Sequence, residues 1–428
     1  MRAAFVILHR WAGLMIAAFL FVSGITGAVI SWDHELDDVL NSHLMHVTSR
    51  GPSIPSFELA RRLEQARPNL RVTSVRVQAE PGESLRIGVT PRVDPATGRL
   101  FDLPYNQVFV DPVTGNVLGQ RKWGAVWPLT RETFVSFLYR LHYMLHIPEM
   151  WGIDRWGIWL MGIVAIIWTL DCFVGFYLTL PIRKATRAQR ATDVARELSK
   201  GFWSRWRPAW TIKTRGSAYR VNFDIHRTFG LWFWVLLFIL AFTGFSLNLS
   251  REVFYPLMTK ISSVTPSVFE TRTPTSRHDP IEPKLAFADV LSLAEAEAGR
   301  REWTETATSV FYTTTYGIYG VQFFPPDADH GVAGGGAKRL YFDGLDGRYL
   351  GDRKPWTGTT ADIFIQAQFP LHSGRILGLP GRILISLMGL VVAALSVTGV
   401  VIWWRKRKAR VARMRPGNRR AFAAAPAE

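Results

Sequence analysis

The sequence predicts a membrane protein with a bundle of four transmembrane helices, two extracytoplasmic α+β domains and an internal two-fold repeat. The 428-residue chain contains four apolar stretches of about 20 residues, the length needed to cross roughly 30 Å of hydrocarbon. Its net charge of +17 is concentrated between the second and third stretches and after the fourth. Several sequence motifs also occur once in each half. The four apolar stretches exclude an ordinary soluble protein.

The apolar stretches divide the chain into eight segments. Transmembrane helices are predicted within residues 1–32, 141–182, 226–249 and 371–404, extracytoplasmic domains at 33–140 and 250–370, and basic segments at 183–225 and 405–428. The first stretch is too long for a signal-peptide core and no cleavage site follows it, so we expect an uncleaved anchor. Short basic loops stay in the cytoplasm, which predicts that both termini are cytoplasmic. The positive charge then needs no partner beyond anionic membrane lipid, and no nucleic-acid binding is expected.

Each extracytoplasmic segment has the same predicted order of one helix followed by strands. In the first, residues 57–63 have helical spacing, and residues 72–77 and 84–89 alternate as strands do. In the second, a helix near 286–297 precedes strands between 308 and 324. The two segments are therefore predicted to have the same fold.

The repeat is clearest in short motifs. Residues 108–122 align without gaps to 340–354, and each segment is predicted to form a hairpin. The motif His-Arg-x-x-Gly-Leu begins at His9 and again at His226, and a Leu-His pair precedes the second and fourth apolar stretches. We therefore predict two copies of a span–domain–span unit, related by an axis along the membrane normal.

Five of the ten histidines lie at the ends of predicted spans. They are His9 and His226 at the inner ends, and His142, His146 and His372 at the outer ends. A lone histidine at an interface usually reaches toward water, but pairs at matched depths favour metal ligation. Two neutral imidazoles on facing helices are what a b-type haem needs, and no Cys-x-x-Cys-His occurs for covalent attachment. These histidines are therefore candidate ligands of two b-type haems, with His142 and His146 both open as the outer partner of His372.

Other residues near the spans have more than one interpretation. We interpret Arg10 and Arg227 as positive-inside anchors in preference to partners of haem propionates. Asp171, inside the second span, could orient a histidine, carry a proton, or be a neutral carboxyl bonded to Ser or Thr. Small residues in the spans suit either helix packing or room for a flat ring: Gly24, Gly27, Gly175, Gly244 and Gly399. A weaker candidate metal site in the first domain comprises His34, His43 and His46.

These motifs resemble the PepSY-associated transmembrane family over nearly the whole chain. The resemblance is carried by residues 8–14, the two hairpins and Leu371-His372-Ser373-Gly374. Within that family the chain is similar to bacterial inner-membrane siderophore reductases of the ferrioxamine type. The resemblance implies two periplasmic PepSY-type domains, two haems and reduction of Fe³⁺ in a ferric siderophore, which releases iron because the Fe²⁺ chelate is weaker. It also implies that His9, His226, His142 and His372 are the family's histidines.

The resemblance leaves the electron donor and two other functional classes open. Some relatives carry a fused flavodoxin-like or reductase domain that is missing here, so we expect a separate donor: a reduced flavin, a reductase or the quinol pool. A siderophore permease is one alternative, and it would transport its cargo without any donor. A PepSY-type binding or inhibitory membrane protein is the other, and the matched histidines would then have no role.

Overall fold

The computed structural model describes residues 1–181, 201–325 and 331–414, which fall into two compact units. The membrane unit comprises residues 1–31, 141–254 and those from 383 onward, and the sheet unit comprises residues 32–140 and 255–382. The predicted basic segments 183–225 and 405–428 lie partly outside the described residues.

The described elements include thirteen α-helices and eight strands. The helices are α1 (Arg2–Ile30), α2 (Asp33–Leu40), α3 (Ser42–Met45), α4 (Ser56–Ala66), α5 (Arg131–Met144), α6 (Trp156–Thr179), α7 (Phe202–Trp206), α8 (Ala218–Trp232), α9 (Trp234–Asn248), α10 (Tyr255–Ile261), α11 (Phe287–Arg300), α12 (Thr360–Ser373) and α13 (Leu379–Met414). The strands are β1 (Leu70–Arg76), β2 (Leu85–Pro91), β3 (Gln107–Val110), β4 (Val117–Arg121), β5 (Thr306–Thr313), β6 (Ile318–Phe324), β7 (Lys338–Asp343) and β8 (Tyr349–Arg353).

Among the residues that the structure describes, three helices, α1, α6 and α13, are long and apolar enough to cross a membrane. Helices α8 and α9 together form a fourth candidate, but they are bent by 71° where they meet. The prediction of one continuous helix within residues 226–249 is therefore wrong at Phe233, which lies between them. The tryptophans on either side of the break bond different segments: Trp232 donates to the Trp210 carbonyl (3.2 Å) and Trp234 to the Cys172 carbonyl (2.8 Å). These tertiary contacts outweigh the local helical preference.

Close backbone approach holds α1 against α13. A Cβ atom added at Gly24 would lie 2.6 Å from the Gly389 carbonyl oxygen, and one at Gly389 would lie 2.4 Å from that of Gly24. Ser386 also donates a hydrogen bond to the Ala28 carbonyl (3.1 Å). Small residues that let helix backbones touch are typical of membrane helix pairs. Of the two interpretations of Gly24, helix packing is therefore the one that the structure supports.

The sheet unit contains one eight-stranded sheet with the strand order β4-β3-β2-β1-β5-β6-β7-β8, in which all neighbours are antiparallel. The first four strands come from one predicted domain and the last four from the other. Strands β1 and β5 join them, with Ser74, Val75 and Arg76 opposite Phe311, Val310 and Ser309. Segments 33–140 and 250–370 thus differ from the prediction of two separate domains, because they share a continuous ladder of hydrogen bonds.

A helix covers each half of the sheet, at the positions that the hydrophobic spacing predicts. Helix α4 buries Leu59 and Leu63 against β1, β2 and β3, and α11 buries Val290 and Ala294 against β5, β6 and β7. The aromatic rings of Phe57 and Phe287 stack with centroids 6.0 Å apart, and each packs against both apolar clusters. The two halves therefore share part of their hydrophobic core.

The repeated segments form the two predicted hairpins in matching register. In β3–β4 Gln107 lies opposite Arg121, and in β7–β8 Arg339 lies opposite Arg353. Each turn begins at an aspartate whose carboxylate accepts a backbone N–H two residues on: from Val113 to Asp111 (2.8 Å) and from Leu345 to Asp343 (2.7 Å). Burial alone would raise the pKa of both carboxyls, but these hydrogen bonds and those from neighbouring side chains outweigh burial and lower it.

Candidate functional site

His9 of α1 is held by a carboxylate of the second apolar helix. Its Nδ1 lies 2.9 Å from both Oδ1 and Oδ2 of Asp171 on α6. Asp171 is only 8% exposed, and a buried carboxylate requires a hydrogen-bond donor. Because the carboxylate accepts, Nδ1 of His9 carries the hydrogen and its Nε2 keeps a lone pair for a ligand. Of the interpretations of Asp171, orienting a histidine is the one that this geometry supports.

His226 of α8 is held in the same way by neutral groups of α13. Its Nδ1 donates to the Leu395 carbonyl (3.1 Å) and to Thr398 Oγ1 (2.9 Å). The Thr398 hydroxyl donates to the Ala394 carbonyl (2.7 Å), so its oxygen accepts from the imidazole. Nε2 of His226 is therefore also the nitrogen left for a ligand.

The structure brings these two histidines together, although they are 217 positions apart in the chain. Their ring centroids are 6.2 Å apart and the ring planes are inclined by 54°. Both rings line one cavity of about 440 Å³ within the membrane unit. Its other walls are mostly apolar and include Ile16, Ala17, Leu20, Trp168, Leu237 and Val392.

Four glycines give the two imidazoles and the cavity their room. A Cβ added at Gly175 would lie 3.5 Å from Cε1 of His9, and one at Gly399 would lie 3.1 Å from Cε1 of His226. A Cβ at Gly13 or Gly230 would meet nothing within 4 Å, and both glycines line the cavity. Gly13 and Gly230 belong to the repeated motif His-Arg-x-x-Gly-Leu, but they were not among the predicted site residues. Their spacing of four from His9 and His226 was the available signal, because residues i and i+4 share a helix face.

Basic side chains are prominent around the same cavity. They are Arg2, Arg10, Arg227, Lys406 and Arg410. Arg2 donates to the Leu178 carbonyl (2.6 Å), and Arg227 donates to Asp224 Oδ1 (2.9 Å). Asp224 is fully buried and also accepts from Arg220 (3.0 Å), so Arg227 is part of a structural ion-pair network. Its predicted role as a positive-inside anchor stays a prediction.

His142 and His146, which the sequence left as alternatives, have different surroundings in the structure. His142 lies in the last turn of α5, and its Nδ1 donates to the Ser23 carbonyl (3.0 Å) and contacts Thr26 Oγ1 (3.2 Å). A Cβ added at Gly27 would lie 2.9 Å from Cε1 of His142. His146 lies beyond the end of α5, in a left-handed turn with φ 53°. His142 thus has the same kind of support as His226, namely a carbonyl, a threonine hydroxyl and a facing glycine.

His372 lies in the last turn of α12, in the sheet unit. Its pairing with His142 stays a prediction. The weaker candidate of His34, His43 and His46 is not brought together as a metal cluster: His46 pairs with Asp38 (2.7 Å) and His43 lies 3.5 Å from Glu132. Across residues 1–181, 201–325 and 331–414, no group of three or more His, Cys, Asp or Glu side chains is arranged to hold a metal ion.

Comparison with known proteins gives a family match but no characterised relative. The model of the PepSY-associated TM region matches residues 6–406, which is nearly the whole chain. No curated protein matches the sequence at a significant level.

Proposed function

The chain belongs to the PepSY-associated transmembrane family, and we propose that it is a di-haem oxidoreductase of the bacterial inner membrane that reduces a ferric siderophore. The observation that carries the proposal is the pair His9 and His226, whose imidazoles face one apolar cavity with both Nδ1 atoms engaged elsewhere. Reduction would release Fe²⁺ outside the membrane for iron uptake.

The spacing of the inner histidines would allow both imidazoles to bind one metal ion. A metal–nitrogen bond is about 2 Å long, so two imidazoles that bound one ion would lie close together. The centroids of His9 and His226 are 6.2 Å apart. Two histidines alone do not complete the coordination of a bare transition-metal ion, and no further cluster of ligands exists among the described residues. A macrocycle would supply the nitrogen ligands that the two histidines do not provide.

The surroundings of the pair fit a flat apolar macrocycle with acidic substituents. Gly13 and Gly230 leave open space beside the two ligands, and the other walls are mostly apolar. The basic groups that line the cavity include Arg10 and Lys406, which suit carboxylates such as haem propionates. When bound, a haem supplies an iron that accepts and donates one electron at a time. The residues of the chain would hold the ring, exclude water and set the relative stability of the two oxidation states.

The outer site is proposed to use His142 with His372. His142 has its Nδ1 fixed by Ser23 and Thr26, and Gly27 leaves the space that its ring occupies. With both termini in the cytoplasm, an electron from a separate donor would enter at the inner pair and leave at the outer one. The donor is proposed to be a reduced flavin, a reductase or quinol, and the acceptor is Fe³⁺ in the siderophore, which takes one electron to become Fe²⁺.

The choice between the two outer histidines yields a prediction. His142→Ala should lower the haem content from about two to about one per chain, because it removes an axial ligand. His146→Ala should keep both haems, because that residue lies outside the helix that holds the ligand. Pyridine haemochromogen assays on both purified variants provide the measurement. Full haem content in His142→Ala together with loss of a haem in His146→Ala would reverse the assignment.

Reduction of the siderophore can be tested with the full-length protein in detergent. The protein is reduced with dithionite, freed of excess reductant under anaerobic conditions, and mixed with a ferric hydroxamate siderophore and an Fe²⁺-trapping dye. We expect the oxidised visible spectrum to return while about one Fe²⁺ is trapped per electron lost. The matched control is the Ga³⁺ complex of the same siderophore, which has the same shape but accepts no electron.

The same assay separates the alternatives. A reduced spectrum that persists in the presence of the ferric siderophore would contradict the proposed acceptor. Entry of the Ga³⁺ complex into vesicles without any electron donor would indicate a permease. If neither reduction nor transport occurs and alanine variants of the matched histidines behave as wild type, a binding or inhibitory role remains.

A further inference from the structure

The histidines of the membrane unit differ in the charge of the group behind them. Nδ1 of His9 faces a carboxylate, with both oxygens of Asp171 at 2.9 Å. Nδ1 of His226 faces a carbonyl and a hydroxyl, and so does Nδ1 of His142. The inner site is therefore asymmetric, since one imidazole is supported by an anion and the other by neutral groups.

The buried position of Asp171 strengthens the electrostatic effect of its carboxylate on His9. The residue lies within the apolar helix α6 and is 8% exposed, so water screens its carboxylate poorly. Two of the cationic side chains that line the same cavity bond groups other than Asp171. Arg2 donates to the Leu178 carbonyl, and Arg227 donates to Asp224. Both carboxylate oxygens of Asp171 lie within hydrogen-bond distance of Nδ1 of His9.

A carboxylate hydrogen-bonded to the far nitrogen of a ligating histidine makes that histidine a stronger electron donor to the metal. The ferric state of a haem carries one positive charge more than the ferrous state, so it gains more from a nearby anion. Both effects favour Fe³⁺ over Fe²⁺ and lower the reduction potential. A group that acts in this way positions and tunes the ligand without touching the iron.

We propose that Asp171 is a positioning residue that lowers the reduction potential of the inner haem through His9. This inference rests on the proposed function. A lower potential at the inner site makes its reduced form a stronger donor, which favours electron transfer toward the outer site. The sequence alone gave several roles for Asp171, and the contact with His9 selects this one.

The test is a potentiometric titration of the purified full-length protein, followed by visible absorbance. Asp171→Asn keeps the size of the side chain and an oxygen that can accept from Nδ1 of His9, but it removes the charge. We expect the one-electron equilibrium of one haem to shift at least tenfold toward the ferrous form, a rise of about 59 mV. The other haem should keep its potential. Low-spin ferric EPR signals of the same haem should change as well, because the donor strength of its ligand changes.

The matched control changes Thr398, which contacts Nδ1 of the other histidine, His226. Thr398→Val removes a neutral acceptor from His226 while the Leu395 carbonyl remains, so we expect a shift of less than about threefold. The converse variant, Thr398→Asp, places a carboxylate at Nδ1 of His226 and should lower the potential of the same haem. It keeps the inference testable if Asp171→Asn loses the haem.

The outcomes separate this inference from the proposed function. Wild-type protein that takes up no haem would overturn the proposed function. Two haems in the wild type, with no upward shift in Asp171→Asn, would overturn the role of Asp171 and leave the reductase proposal intact. If Asp171→Asn loses the haem, an unchanged potential in Thr398→Asp would overturn that role.

Discussion

His9→Ala is expected to remove one haem from the purified protein, lowering the content from about two to about one per chain. His226→Ala should have the same effect, and the double variant should lose no more than either single one. The reason is geometric: both imidazoles face one cavity with centroids 6.2 Å apart, so in the proposed site they would bind a single haem. The pyridine haemochromogen assay, normalised to protein, gives the content directly.

A histidine outside the site supplies the control for these variants. His278 is exposed in a loop of the sheet unit, and His278→Ala should keep both haems. Circular dichroism of each variant in detergent checks that the helices are retained. If the double variant lost two haems where each single variant lost one, His9 and His226 would belong to different sites, and the inner pair would be disproved.

Gly13→Leu and Gly230→Leu should each block the inner haem while the protein still folds. A Cβ at either position meets no atom within 4 Å, and both residues line the cavity, so the new side chain enters open space. Leu has a high helix propensity, which adds stability to the helix where Gly weakens it. We therefore expect haem content to fall to about one per chain while thermal stability of the haem-free protein is kept or increased.

Gly299→Leu is the matched control for this prediction. Gly299 is also in a helix, α11, and also has open space around an added Cβ, but it is exposed in the sheet unit. That variant should bind haem as the wild type does. Full haem content in Gly13→Leu and Gly230→Leu would mean that the cavity is not where the macrocycle lies.

The spans and hairpins could be predicted because their signals are local. Apolar length identifies α1, α6 and α13, and the repeated Asp and Gly identify two turns whose registers match. The 71° bend between α8 and α9 could not be predicted, because it depends on Trp232 and Trp234 bonding different segments. The single sheet could not be predicted either. Alternation shows that residues form a strand, but it does not show that β1 pairs with β5 from the other half of the chain.

The candidate site was predictable in its residue types but not in its contacts. Matched motifs identified His9 and His226 as a pair, and the structure places their rings side by side. The partner of His9 depends on how α1 and α6 are rotated and shifted against each other, which residue spacing within one helix does not contain. Asp171 was therefore a candidate with several roles until its oxygens were found 2.9 Å from His9.

The most direct measurement is the visible spectrum of the purified, detergent-solubilised protein, recorded oxidised and then reduced with dithionite. Two bis-histidine sites predict a Soret band, sharp α and β bands on reduction, and about two b-type haems per chain by pyridine haemochromogen. A colourless protein that also takes up no added haemin would contradict the proposal that this membrane unit is built around haem.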